Sequence, residues 1–312
     1  MKTPCLPKDK PSVLVLLAAF NGIKWLAEQV DSILNQVDVE VTIMVSIDQS
    51  TDGTEAWFAQ LALKDSRICI LPHGKVFGGA APNFFRLIGD ADFSHFDYVS
   101  LADQDDIWLP NKLARAIDVL RKENIAAYSS NVIAFWPNGK QALITKSQPQ
   151  VQWDFLFEAA GPGCTYVFTQ PFAMALQKQV RSQAGIVNKV GLHDWFIYAF
   201  ARAHQYQWLI DDQALMLYRQ HEANQVGTNK GLKALVHRAK KVLSGWAFEQ
   251  SRLMAQANKL NESSFVKSWL DGSRVGYIRL GLNAKHCRRR SRDQWIFSLM
   301  CFLLALTGGK KR

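Results

Sequence analysis

Apolar and polar positions alternate between two periods along the first half of the chain. Ser12–Ala18 is a continuous apolar run of strand length, and it stops at Asn21-Gly22, a turn signal. Ile23–Asn35 then places Ile23, Leu26, Val30, Ile33 and Leu34 on one helical face. Val39–Ile47 is rich in β-branched residues and predicts a second strand ending at Asp48. The STDGT segment that follows offers Ser50, Thr51 and Asp52 as N-caps for a helix carrying Trp57, Phe58 and Leu61. Ile68–Leu71 predicts a third strand and Asn83–Ile88 a short helix. Tyr98–Leu101 predicts a fourth strand that runs into ADQDDIWLP, where Pro110 suits the first turn of a helix reaching about Lys122. This alternation implies βαβ units. The expected fold is α/β, with a mostly parallel central sheet flanked by helices and ligands bound at the carboxyl ends of the strands.

After Pro137 the pattern loosens. WPNGKQALITKSQPQVQWDF looks like a long surface excursion, followed by AAGPGCTYVF, a turn leading into a strand. Leu192–Ala203 predicts a helix with His193 and Asp194 at its start, and Gln207–Ile210 and Leu215–Tyr218 predict short strands. From about Gly231 the chain reads as helical, basic and tryptophan-bearing. The expected division is an α/β region over 1–230, with halves of about 11–125 and 126–230, and a basic helical C-terminal extension over 231–312.

Charge sharpens that division. The formal net charge is +10, yet residues from Gly231 onward carry 17 Lys and Arg against 4 Asp and Glu, a net of +13. The first 230 residues are therefore at −3, and an anionic partner should meet the C-terminal quarter. The five cysteines are scattered, with no zinc-site spacing, and read as free thiols of a reducing compartment. The apolar run near the N-terminus is too short for a signal peptide, and no stretch approaches the ~20 residues of a spanning helix. A cytoplasmic protein is expected.

Asn21, Asp48, and Asp103 with Asp105 each fall just past a predicted strand, so one crevice could collect them. In DQDD, Asp103 to Asp106, adjacent carboxylates repel one another, and a cation would relieve them. Hard oxygen ligands of this kind suit Mg²⁺ or Mn²⁺; a solvated acidic turn capping the next helix fits the same residues. Asp48 with STDGT reads more readily as a capping loop than as a binding site. FGGAAPNF could bring backbone amides to phosphates. Asp194, at a helix N-terminus that favours its ionised form, could be a general base or simply an N-cap. His221 sits on a polar loop and could reach a metal or pyrophosphate if that loop folds over the crevice. Finally, an Arg cluster precedes 13 largely apolar residues, Trp295 to Thr307, with basic residues beyond them. The basic flanks on both sides favour a segment lying in a membrane interface over the alternative, a buried C-terminal helix packed on the domain.

Taken in order, VLLAAFNGIKWLAEQVDSILNQ, IDQSTDGT, NFFRL, LADQDDIWLPNKLARAI, HDWFIYAFA and LMLYRQHEANQVG resemble the inverting glycosyltransferases of family 2, which have the GT-A fold. The nearest group looks like the bacterial rhamnosyltransferases that build surface polysaccharides. The resemblance implies a nucleotide-sugar half followed by an acceptor half. Ala19, Phe20 and Asn21 would line the nucleotide pocket, Asp48 would bind the base, and Asp103 with Gln104 would meet the nucleotide sugar. Asp105 and His221 would hold Mg²⁺ or Mn²⁺, and Asp194 would be the catalytic base. Many relatives carry a second acidic residue where this chain has Gln49. The implied activity is metal-dependent inverting transfer of a sugar, rhamnose from dTDP-rhamnose being the first choice. The acceptor would be a lipid-linked oligosaccharide or polysaccharide, and the enzyme would sit on the anionic inner face of the cell membrane. No nucleic-acid partner is expected. Three rivals remain open on sequence: a haloacid-dehalogenase-like phosphatase, a basic nucleic-acid-binding protein, and a family member that binds donor without transferring it.

Overall fold

The computed structural model describes residues 10–221 and 245–307; the expected helical stretch over 231–244 lies outside them. A seven-stranded sheet is built from β1 (Ser12–Ala19), β2 (Glu40–Ile47), β3 (Ile68–Ile70), β4 (Tyr98–Ala102), β6 (Ala127–Ser130), β9 (Val167–Thr169) and β10 (Trp208–Asp211), in the order β10-β6-β9-β4-β1-β2-β3. Every pairing is parallel except those of β9, which runs antiparallel to β4 and β6. Helices α1 (Ile23–Leu34), α2 (Thr54–Lys64), α3 (Ala80–Asp90), α4 (Lys112–Lys122), α5 (Gln170–Ser182), α6 (Ala184–Val187) and α7 (His193–Ala203) connect and flank the strands. Val13 to Leu17 are fully buried, since β1 is covered on both faces, and each such side chain contributes roughly 1.5–3 kcal/mol.

A second sheet has the order β5-β11-β7-β8, from β5 (Ile107–Trp108), β7 (Val132–Phe135), β8 (Gln141–Ile144) and β11 (Met216–Arg219). The first half of the expected surface excursion is thus the β7–β8 hairpin. Its second half stays half-exposed until its end, where Asp154 and Phe155 enter a buried 3₁₀ turn with Leu156.

Three local expectations change. Helix α2 is preceded by Gly53 at φ +95°, a left-handed residue, and Asp52 accepts a hydrogen bond from the Thr54 amide at 3.0 Å. None of Ser50, Thr51 and Asp52 is therefore the N-cap. Helix α3 starts three residues before Asn83, because Pro82 sits in a first turn whose amides have no intrahelical partner. Pro110, by contrast, lies outside α4; its carbonyl accepts from the Val37 amide at 2.9 Å.

The C-terminal helices share the core of the α/β region. Trp269 is fully buried, with ring centroids 5.3 Å from Phe248 and 5.5 Å from Phe157. The last helix, Ser291–Thr307, buries Cys301, Leu304 and Ala305 against the helix Arg274–Leu282. Gly281 permits the close approach, since a Cβ there would stand 3.2 Å from the Cys301 Cβ. The opposite side leaves Trp295 80% and Leu306 78% exposed. The segment is therefore a packed helix and an apolar surface at once, and among the described residues no helix is long and apolar enough to cross a membrane.

The Arg cluster is not wholly a solvent-facing basic patch. Arg289 is buried, bonded to Asp154 at 3.2 Å and to the Ala159 carbonyl, with Glu158 3.4 Å away. Tyr198 and Arg202 complete the shell around Asp154. Removing one partner of a buried pair strands the other, so Arg289→Met should cost about 3 kcal/mol in urea unfolding. Adding Asp154→Asn should recover part of that loss. Unchanged stability of the single variant would mean that Arg202 alone neutralises Asp154.

Candidate active site

Strands β1, β2 and β4 are in register at their carboxyl ends, with Ala19 beside Ile47 and Leu17 beside Ala102. The loops that follow them converge there. Asn21 takes a left-handed φ of +46°, and its side-chain oxygen accepts from the Thr51 amide at 2.8 Å. The Asn21 amide donates to Ser50 Oγ, that of Gly22 to Thr54 Oγ1, and that of Ile23 to Asp52. The first two strand-to-helix turns are thus stitched together, and the ring of Phe20 stays 53% exposed above them.

Asp48 is buried and already engaged. Its two oxygens accept from the amides of Phe77 at 2.8 Å and Gly78 at 3.0 Å, which folds the glycine loop back over the end of β2. Asn83 secures the same corner, donating to the carbonyls of Ser46 and, at 3.4 Å, Ala19. Gln104 clamps the β1 turn: its Oε1 accepts from the Phe20 amide at 2.7 Å and its Nε2 donates to the Phe20 carbonyl at 2.8 Å.

The DQDD segment leaves β4 and enters β5, which pairs antiparallel with β11. That pairing brings Arg219 and His221 across 116 residues of chain. Arg219 donates to the Asp105 carbonyl at 2.7 Å and bonds Glu28, and its amide donates to Asp106 at 3.1 Å. His221 Nε2 lies 2.6 Å from Asp105 Oδ2, with its ring stacked on Trp25 at 4.3 Å. Both side chains of this pair retain a little exposure.

Asp194 opens α7, where Oδ1 accepts from the Trp195 amide at 2.7 Å. Its carboxylate is walled in by protein while part of its surface stays open, and burial pushes its pKa up to about 6. Asp103 is pushed to about 7, first by burial and then by the charges of Asp105 and Asp194. Asp103 therefore lies close enough to Asp105 and Asp194 to feel both charges. Asp194 is neighboured by His193, whose ring stacks on Phe84 at 4.0 Å and whose pKa burial lowers to about 3. A Cβ on Gly163 would fall 2.6 Å from His193 Nε2, so that glycine is required for the fit.

Two donor sets could hold a cation. Asp103, Asp106 and Cys164 have ligand atoms within 4.8 Å of one another, but Asp106 and Cys164 are buried, and burial holds that thiol protonated, well above its usual range. Lys112, also buried and lowered to about 7 by burial, already supplies positive charge to Cys164 and Asp106. Asp105 and His221 offer oxygen and imidazole nitrogen, the harder set that suits Mg²⁺ or Mn²⁺. The residues present fit such an ion better there. Two surface hollows, about 490 and 610 Å³, lie away from these carboxylates, beside Arg121 and Arg202. Neither carries comparable chemistry.

The sequence placed no weight on Lys112, Cys164, Asn83 or Arg219. Asn83, Lys112 and Arg219 lay inside segments that carry the resemblance, and Cys164 in the turn before a strand, but nothing local marked a role for any of them.

Strand-end loops that gather acidic residues over a parallel sheet suit a nucleotide-sugar transferase, and known proteins of similar sequence are of that class. Residues 14–180 match the family described as glycosyl transferase family 2, and the chain belongs to that family. It is 42% identical over 288 residues to the dTDP-rhamnosyl transferase RfbG of Shigella flexneri, covering 92% of this chain and 99% of that one. A UDP-Glc:alpha-D-GlcNAc-diphosphoundecaprenol beta-1,3-glucosyltransferase of Escherichia coli, WfgD, is 26% identical over 51% of this chain and 60% of its own length. Among solved structures, S. aureus TarS 1–349 superposes with a TM-score of 0.57 at 14% identity, covering 94% of this chain and 80% of that one. The fold is of the GT-A type. A haloacid-dehalogenase-like phosphatase finds no support, and the acidic motif follows β4 rather than the first strand.

The Gln104 clamp has a mutational signature. A Cβ on Gly22 would stand 2.4 Å from Gln104 Oε1, so Gly22→Ala should destabilise by about 1–3 kcal/mol through overpacking. In a Gln104→Ala background the same change should cost almost nothing. Additive losses in this double-mutant cycle would show that the two residues do not press on each other.

Proposed function

We propose that this glycosyltransferase moves rhamnose from dTDP-rhamnose, with inversion, to a lipid-linked precursor of a surface polysaccharide. The observation that carries the reading is the meeting of Asp105 and His221 beyond the end of β4. The identity to the dTDP-rhamnosyl transferase of Shigella flexneri supports the donor. The diphosphoundecaprenol named for WfgD supports a lipid-linked acceptor.

In this reading Phe20 and Asn21, with Ala19 beneath them, line the nucleotide pocket. Asp48 meets the base while anchoring the glycine loop, and Gln104 shapes the pocket through the Phe20 peptide. Asp103 faces the nucleotide sugar. Asp105 and His221 would hold Mg²⁺ or Mn²⁺, which when bound neutralises charge gathering on the departing diphosphate. Asp194 removes the proton from the acceptor hydroxyl as that oxygen attacks the anomeric carbon from the face opposite the leaving group. The Trp195 amide fixes one carboxylate oxygen and leaves the other for the acceptor. One displacement inverts the centre, with no covalent enzyme intermediate.

The C-terminal extension would seat the enzyme on the anionic inner face of the membrane. Val275, Ile278 and Leu282 on one helix and Trp295, Ile296, Leu299 and Leu306 on the last form exposed apolar surface. Arg274, Arg279, Arg290 and Arg292 belong to the same segment, and anionic headgroups would complement them.

Asp105→Ala should abolish transfer and remove metal-dependent binding of dTDP while the fold survives; full activity in a chelator would sink the metal pair. Asp194→Asn should leave donor affinity within a few-fold yet lower turnover by roughly 10²–10⁴. Turnover in the native enzyme should fall as pH drops through about 6, because the base works only when ionised. For the membrane, deleting the tail is a poor probe because Arg289 belongs to the core. Trp295→Ser with Leu299→Ser should instead reduce flotation with anionic liposomes by roughly tenfold or more, from the apolar area no longer buried, with melting unchanged. Equal flotation would mean that another surface binds, or none.

A further inference from the structure

Helix α1 begins directly after the turn that carries Phe20 and Asn21, and it buries Leu26, Gln29, Val30 and Ile33. A second stripe runs beside that buried face. Trp25, Glu28 and Ser32 follow one another at spacings of three and four residues, so they stand in one row along the helix. Each of them holds a part of the chain that builds the Asp105–His221 pair. Ser32 Oγ accepts from the Trp108 amide of β5 at 3.0 Å. Glu28 bonds Arg219 of β11. The indole of Trp25 lies against the imidazole of His221, with ring centroids 4.3 Å apart and planes 16° from parallel.

The backbone leading to His221 is set by its neighbours. Arg219 donates to the Asp105 carbonyl at 2.7 Å, its guanidinium lies 4.6 Å from the centre of the Phe135 ring, and the Gln220 amide donates to the Phe135 carbonyl at 2.9 Å. The ring of His221 needs a further constraint. Its Nε2 lies 2.6 Å from Asp105 Oδ2, which fixes where that nitrogen is but not the plane of the imidazole about it. The lone pair of an imidazole nitrogen lies in the ring plane, so the plane decides where a cation can be bound. A flat surface stacked on the ring fixes it.

We propose that Trp25 is a positioning residue for the metal pair, its indole holding the His221 imidazole in the plane that aims Nε2 at the ion shared with Asp105. This rests on Asp105 and His221 being the pair that holds Mg²⁺ or Mn²⁺. Groups that orient a ligand contribute to metal affinity without touching the metal. An aliphatic side chain at position 25 could cover a similar area, but it would not define a plane. Because α1 grows out of the Phe20–Asn21 turn, the same helix anchors the nucleotide turn at its start and the metal ligand one turn further on.

The test is Mn²⁺ binding to the full chain with dTDP present and no acceptor, read from the electron paramagnetic resonance of the free ion. Trp25→Leu should weaken binding about tenfold, the lower end of what such supporting groups contribute. Trp25→Phe keeps a flat ring and should stay within about threefold of native. Saturating Mn²⁺ should return kcat of Trp25→Leu to within about twofold of native, since only binding of the ion was lost. Native Mn²⁺ affinity in a folded Trp25→Leu overturns the proposal, and so does a kcat that excess Mn²⁺ fails to restore, which would make Trp25 structural. Should Trp25→Leu not fold, fluorine NMR of the 5-fluorotryptophan-labelled native chain decides. The Trp25 signal, assigned by its loss in Trp25→Phe, should broaden on adding Mn²⁺ and not Mg²⁺, and an unbroadened signal at saturating Mn²⁺ overturns the proposal. Asp105→Ala, run beside these, separates the two claims. Native Mn²⁺ binding in that variant removes the metal pair itself, whereas lost binding there with native binding in Trp25→Leu removes only the role of Trp25.

Discussion

Crowding of like charge at one end of a parallel sheet is the constraint on which this structure turns. Asp103, Asp105, Asp106 and Asp194 converge where the strands end, and burial disfavours the charged form of Asp103, Asp106 and Asp194. A fold tolerates that arrangement only if cations and donors are brought to it. Lys112 comes from the start of α4, Arg219 from β11, His221 from just past it, and the Trp195 amide from α7. Each arrives from a different element, so the fold and the electrostatics of the site are one problem. The same repulsion makes a bound divalent ion favourable where Asp105 faces the crevice.

Much of the framework was legible because it is local. Continuous β-branched runs such as Val39–Ile47 can only be covered strands, and Asn21-Gly22 or the DQDD turn stop them where strands stop. The acidic residues at those stops were visible for the same reason. What was not legible depends on separation. Gln104 looks like a spacer between two aspartates, yet its amide is matched to the Phe20 peptide, and nothing near it in sequence says so. Asp48 was read as a ligand for the base, and its two oxygens also hold a loop that begins 29 residues later. Arg289 reads as one of three surface arginines because its partner Asp154 lies 135 residues upstream. The helix expected over Asn83–Ile88 runs from Ala80 to Asp90, because Pro82 is accommodated in its first turn.

The extension after residue 245 is neither a detachable tail nor plain core. Its inner faces complete the packing around Phe157 and Trp269, and its outer faces remain apolar. A helix whose two sides are both hydrophobic has little amphipathic signal along its sequence. Trp295–Thr307 therefore admitted two readings, and the structure shows a packed face on one side of the helix and exposed apolar residues on the other.

The pairing of β5 with β11 spans only Ile107 and Trp108 against Leu217 and Met216, yet it is what sets Asp105 beside His221. This pairing therefore joins the two expected halves on either side of residue 125. A chimera that imports the N-terminal half of a relative to change its donor would leave the acidic loop facing a foreign β11. It would be handicapped however well each half folds. Recombination within this family should succeed when Met216–His221 travels with the acidic loop, because the two form one structural unit split across the chain.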